Sequence, residues 1–80
     1  ASLNHYEAAI ADFLKALDFN PELPNAYYNL GVIYEETGDV DRAIVHWEAY
    51  LRLAEKDPAQ KAWVPETKVR LDRLKSRIRE

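Results

Sequence analysis

A stretch of this chain recurs 34 residues further along. Ala9, Ile10, Phe13, Leu17 and Phe19 line up with Ala43, Ile44, Trp47, Leu51 and Leu53. Ile10, Phe13 and Leu17 stand three and four apart, and so do Ile44, Trp47 and Leu51, which is the period of one helix face. Self-similarity at such a distance is the mark of stacked supersecondary units, each too small to bury its own apolar stripe. A chain of this kind is committed to helices packed side by side, and no alternating strand pattern competes.

Three punctuation points divide the chain. "NPELPN" from Asn20 to Asn25 carries two prolines and two asparagines, a strong break. "TGD" from Thr37 to Asp39 places a glycine after one helical pattern and an N-capping aspartate before the next. "KDPAQ" from Lys56 to Gln60 supplies Asp57 as a cap, Pro58 at the first helical position and Gln60 in capping-box position. Four helical segments are predicted between and beyond these breaks: about 4–19, 24–37, 40–56, and a last one within 58–79. Their apolar residues include Tyr6, Leu14, Tyr27, Leu30, Ile33, Tyr34, Val64, Leu71, Leu74 and Ile78. Pro65 disfavours a helical residue before it, so a short turn at 58–62 and a main helix from Pro65 are expected. Short connections between consecutive helices favour antiparallel hairpins.

Gly31 sits inside the second segment, where a glycine costs roughly 0.5–1 kcal/mol relative to alanine. Close approach of a neighbouring helix offsets that cost. The small Ala43 on the next segment is the expected partner, with large side chains filling the space around the two.

The residues Tyr27-x2-Leu30-Gly31-x2-Tyr34 followed by Ala43-x3-Trp47 resemble the tetratricopeptide repeat (TPR), whose pattern is W-x2-L-G-x2-Y…A-x3-F…P. Gly38-Asp39 resembles the turn between that family's two helices. Ala9-x3-Phe13-x7-Pro21 looks like the second helix of a preceding repeat. The resemblance runs from about Tyr6 to Leu53. It implies an all-α fold, a right-handed solenoid of antiparallel hairpins with half a repeat at 4–20, a full repeat at 24–56 and a capping helix at 58–80. Departures bear on both ends. The chain is expected to turn at Asn4-His5. Pro58 comes three residues late, Tyr50 replaces a small residue, and Lys68 falls near where a glycine would be expected. The last segment therefore reads as a cap with a polar outer face. The whole resembles the C-terminal end of a longer array.

In that family the first helix of each repeat lines a concave groove for an extended peptide or a partner's helix. By register, the resemblance implies partner-binding residues at Asn25, Tyr28, Asn29, Val32, Glu35 and Glu36, with Asn29 placed to hydrogen-bond a ligand backbone. Glu35 and Glu36 disfavour the basic clamp with which some members grip a terminal carboxylate, and favour a basic or neutral partner.

The chain has 80 residues, net charge −3 and no cysteine. Disulfides, thiolate nucleophiles and Cys-ligated zinc are excluded. Two glycines leave no phosphate-cradling loop, and His5 and His46 have no metal-ligand spacing around them. No catalytic set is legible, so no enzyme and no cofactor are expected. No apolar run is long enough to span a bilayer. Bases gather at the C-terminal end, including Lys68, Arg70, Arg73, Lys75, Arg77 and Arg79, but they spread round the predicted helix and alternate with Leu71, Asp72 and Leu74. No nucleic-acid partner is expected from them. The expected function is a protein–protein interaction module for a peptide or partner helix. The alternative is a structural cap or self-association element that forms a homo-oligomer through the open face of the first segment. Cysteine absence fits a reducing compartment such as the cytoplasm.

Overall fold

The computed structural model describes residues 2–79, with side chains placed from 5 to 77. Helix α1 covers Ser2–Phe19, α2 Pro24–Thr37, α3 Val40–Ala54 and α4 Val64–Arg79, with a 3-10 turn at Lys61–Trp63 before the last. Ile78, expected on the apolar stripe of α4, lies outside the described side chains. Helix α1 packs on α2, α2 on α3, and α3 on α4, giving a slab of 36 × 36 × 16 Å. The thin dimension is less than two helix diameters, so each helix keeps a solvent-facing side.

Local chemistry sets most of the ends. Gly38 takes φ 84°, the left-handed conformation a glycine adopts without penalty. Its N–H donates to the Glu35 carbonyl, and the Asp39 N–H donates to that of Tyr34 at 2.9 Å, the paired bonds of a Schellman cap. Asp39 then caps α3, its Oδ1 accepting from the Arg42 N–H at 3.2 Å while Oδ2 pairs with the Arg42 guanidinium at 2.6 Å. Asn20 closes the earlier break by accepting from the Glu22 N–H, and Tyr27 Oη donates to the Pro21 carbonyl. Pro24 occupies the first turn of α2, where its missing N–H is not needed.

Several boundaries differ from expectation. Helix α1 runs straight through Asn4-His5, because neither residue is a glycine or proline that breaks the ladder. Helix α3 stops at Ala54 rather than Lys56, its last turn tightened by a Lys56 N–H to Leu53 carbonyl bond. The capping box at Asp57 and Gln60 does not form. Asp57 Oδ1 does accept from the Ala59 N–H, but residues 58–60 stay in a turn, and the Gln60 amide oxygen accepts from Tyr50 Oη at 2.9 Å. The 3-10 turn falls at 61–63, and α4 begins one residue before Pro65, which sits in its first turn. Thr67 Oγ1 donates to the Trp63 carbonyl at 2.8 Å across this junction.

The core lies where α2, α3 and α4 meet. Leu30, Tyr34, Ala43, Trp47, Tyr50, Leu51, Ala54, Leu71 and Leu74 form one buried cluster, and Ile10, Phe13 and Leu17 of α1 pack against it while staying partly open. The close approach at Gly31 is present, but its occupant is different from the one expected. A Cβ built on Gly31 would lie 2.5 Å from Trp47 Cε2, so the glycine makes room for the indole of Trp47, one turn beyond Ala43. Trp47 is 0% exposed. A flat ring laid against bare backbone fills more of the seam than a methyl does, and dense packing of this kind is what interiors favour.

Candidate functional site

The slab leaves a depression between the N-terminal halves of α2 and α4. Its centre is built on the core residue Trp47. The Trp47 Nε1–H donates to Glu35 Oε2 at 2.7 Å, and the Arg70 guanidinium lies 5.1 Å from the centroid of the indole ring. Arg70 Nε is also 3.8 Å from Glu35 Oε2. One carboxylate of α2 thus gathers an indole of α3 and a guanidinium of α4. Tyr28 stands edge-on to Trp47 with centroids 5.0 Å apart, and to Tyr50 at 5.4 Å. Edge-to-face contacts of this kind satisfy the ring quadrupoles and fix the orientation of Tyr28.

A cavity of about 300 Å³ opens beside Tyr28, lined by Asn25, Tyr28, Tyr50, Gln60 and Trp63. A smaller recess continues from it along α4, lined by Tyr28, Trp63, Glu66, Thr67 and Arg70. Trp63 is 53% exposed and forms the wall shared by both. The Tyr50 phenol is pushed above its usual value, first by burial and then by the negative charges that Tyr28 and Asp57 would present to it. Its proton is therefore held firmly, consistent with its role as donor to Gln60.

The six residues read from the sequence fall into two groups. Asn25, Tyr28 and Glu35 belong to this depression. Asn25 and Tyr28 line the cavity, and Glu35 anchors Arg70 behind it. Val32 is half-buried and packs on the core rather than opening to solvent. Asn29 and Glu36 are exposed and line neither recess. Glu35 is a structural acceptor rather than a free rim charge, since its oxygen is already shared between Trp47 and Arg70.

The residues that the sequence reading missed all come from beyond α2: Tyr50, Gln60, Trp63, Glu66, Thr67 and Arg70. A signal for three of them was present. The 34-residue offset, carried one unit further, maps Asn29, Val32 and Glu36 onto Trp63, Glu66 and Arg70. Gln60 had no such signal, because its place depends on how the 55–60 turn folds back toward Tyr50. The arrangement holds aromatic faces, carboxamides and one ion pair.

Two family models match the chain. One, described as TPR repeat, matches residues 1–38; the other, described as Tetratricopeptide repeat, matches residues 24–57. No curated protein and no solved structure matches it significantly.

Proposed function

Because the chain belongs to the tetratricopeptide repeat family, whose repeats generally mediate protein–protein interaction without catalysis, we propose that it is a docking module for an extended peptide. The peptide lies in the depression between α2 and α4. The observation that carries this reading is the continuity of the two recesses, which share Tyr28 and Trp63 and run from Asn25 to Arg70. Asn25 supplies an exposed carboxamide within the path, while Asn29 and Glu36 stand exposed on α2 outside the two recesses. Helix α4 closes the other side of the depression and presents Lys68, Arg73 and Lys75 to solvent, in keeping with a capping role. Affinity for any one peptide is expected to be modest, because strong binding needs several buried anchors. Titration of candidate peptides, read by backbone amide shifts, tests the reading. Binding that weakens in Tyr28→Ala and Asn25→Ala supports it, and binding indifferent to both overturns it.

A second reading is self-association through α1. Phe19 is 97% exposed and Leu14 is exposed on the same helix, while among the described side chains α1 contributes no fully buried residue to the core. Sedimentation at millimolar protein tests this, and a strictly monomeric profile excludes it.

A further inference from the structure

Helices α1 and α4 are the two ends of the row of helices, α1 packing on α2 and α4 on α3. Each turns an outer side to solvent, and the two sides differ in charge. Helix α1 carries three acids and one lysine, a net −2, while α4 carries six bases and two acids, a net +4. On α1, Glu7, Ala11, Leu14 and Asp18 are all exposed, and their spacings of four, three and four put them in one row. Leu14 is 44% exposed and lies a turn from Ile10 and Leu17, which are only half-covered. The row is an apolar centre with a carboxylate at each end.

On α4, Val69 is 53% exposed, with Arg73 one turn on and Lys68 and Arg77 flanking it. Glu66 and Asp72 stand among these bases, so the outer side stays positive by a smaller margin than the whole helix. Arg70 and Lys75 are engaged within the chain by Glu35 and Glu48. Lys68, Arg73 and Arg77 make no ion pair among the described residues, and neither do Glu7 and Asp18.

Charge separates the three ways in which these flanks of two copies can meet. Two α1 rows bring carboxylate to carboxylate in either direction, and two α4 sides bring base to base. Like charges set opposite each other oppose association, and opposite charges favour it. The α1 row against α4 of another copy is the pairing that joins opposite signs. Laid antiparallel with Leu14 on Val69, Glu7 comes level with Ser76, beside Arg73 and Arg77, and Asp18 comes level with Pro65, within a turn of Lys68.

We propose that the chain associates with itself head to tail, the α1 row of one copy seated on the Val69 and Arg73 side of α4 in the next. This rests on the second reading above, self-association through α1, and specifies the surface that α1 meets. The contact is heterologous. Each copy keeps a free α1 at one end and a free α4 at the other, so growth does not stop at two. One helix laid on another buries little area, so the association is weak and belongs to high protein concentration.

Sedimentation equilibrium of the 80-residue chain, taken up to millimolar protein, tests this. One variant carries Glu7→Lys with Asp18→Lys, the other Lys68→Glu with Arg73→Glu. All four residues are exposed and outside the ion pairs of the fold, so both variants should keep the wild-type thermal midpoint. The average mass of the wild type is expected to climb past two copies. Raising salt from about 0.02 M to about 0.5 M should weaken association several-fold, because exposed charges are screened. Each variant alone should associate at least about tenfold more weakly than the wild type, and an equal mixture of the two should regain the loss, since every contact between them again joins opposite signs. A mixture that regains nothing overturns the proposal, and so does association that strengthens with salt. A mass that stops at two copies and is unchanged by the α4 substitutions overturns it while self-association through α1 stands. A chain that stays monomeric throughout overturns both.

Discussion

Helices α1 and α3 are the two copies of one sequence pattern, and they end up in different environments. Phe13 and Trp47 hold equivalent places in the 34-residue repeat, as do Leu17 and Leu51. Trp47 and Leu51 are buried, whereas Phe13 and Leu17 remain half-open. The difference is coverage. Helix α3 is packed by α2 on one side and α4 on the other, while the strong packing of α1 is on α2 alone. The same stripe therefore yields a core in one copy and a partly wetted flank in the other. Burial scales with the neighbours a helix is given, since the hydrophobic gain follows the area removed from water.

The largest expected effect breaks that comparison directly. Trp47→Ala removes a fully buried indole and should cost about 3–5 kcal/mol, enough to unfold much of a chain this small, whereas Phe13→Ala should cost markedly less. Urea denaturation of the pair measures it; equal losses would show that α1 is packed as firmly as α3. Next comes Gly31→Leu, expected to cost roughly 1–3 kcal/mol or more, because even a Cβ collides with the Trp47 ring. An unchanged thermal midpoint would mean that the indole can move aside. Glu35→Ala leaves the buried Trp47 Nε1–H without its acceptor and should cost about 1–3 kcal/mol, with Glu35→Gln losing less because it keeps an oxygen there. Near-identical stability of the two variants would show that the contact to Arg70, and not the indole bond, is what matters.

The smallest effect concerns the α2–α3 turn, which both copies of the pattern do not share. Asp39→Ala should cost about 1 kcal/mol as a lost helix cap. Asp39 is held below the ordinary carboxylate value, chiefly by the Arg42 side chain and then by the Arg42 N–H. A depressed value means the native state releases its proton more readily, so this stabilisation is complete above the unfolded value near 3.8 and drains away as pH falls below it. The gap between wild type and Asp39→Ala should therefore be constant from pH 5 to 7 and close in stronger acid, read from thermal midpoints. A gap that persists unchanged at pH 2 would contradict the charge-assisted cap.

Much of the fold was legible before any coordinates. Gly38 and Asp39 carry their conformations in their own chemistry, and the hairpin they close is present. Gly31 announced a close approach, but a sequence cannot say which of several facing residues fills the space, and Trp47 does so ahead of Ala43. The capping box at Asp57 and Gln60 failed for a related reason. A cap is a local preference worth about 1 kcal/mol, and Gln60 satisfies its amide better against Tyr50 Oη, ten residues away. Asn25 and Tyr28, placed on one face of α2 by register, both line the larger cavity. The contacts of Glu35 with Trp47 and Arg70 were not legible, because Arg70 reaches it from a helix 35 residues on.

The order of residues by itself determined the elements: helix periods, a left-handed glycine, a capping carboxylate and prolines in first turns, all of which act within a few bonds of where they stand. Only the tertiary structure decided which of two equivalent stripes became core and which aromatic and amide groups came to share a cavity. Those outcomes depend on contacts between segments tens of residues apart, where the free energy lies in excluded water and shape fit that no single stretch of chain contains.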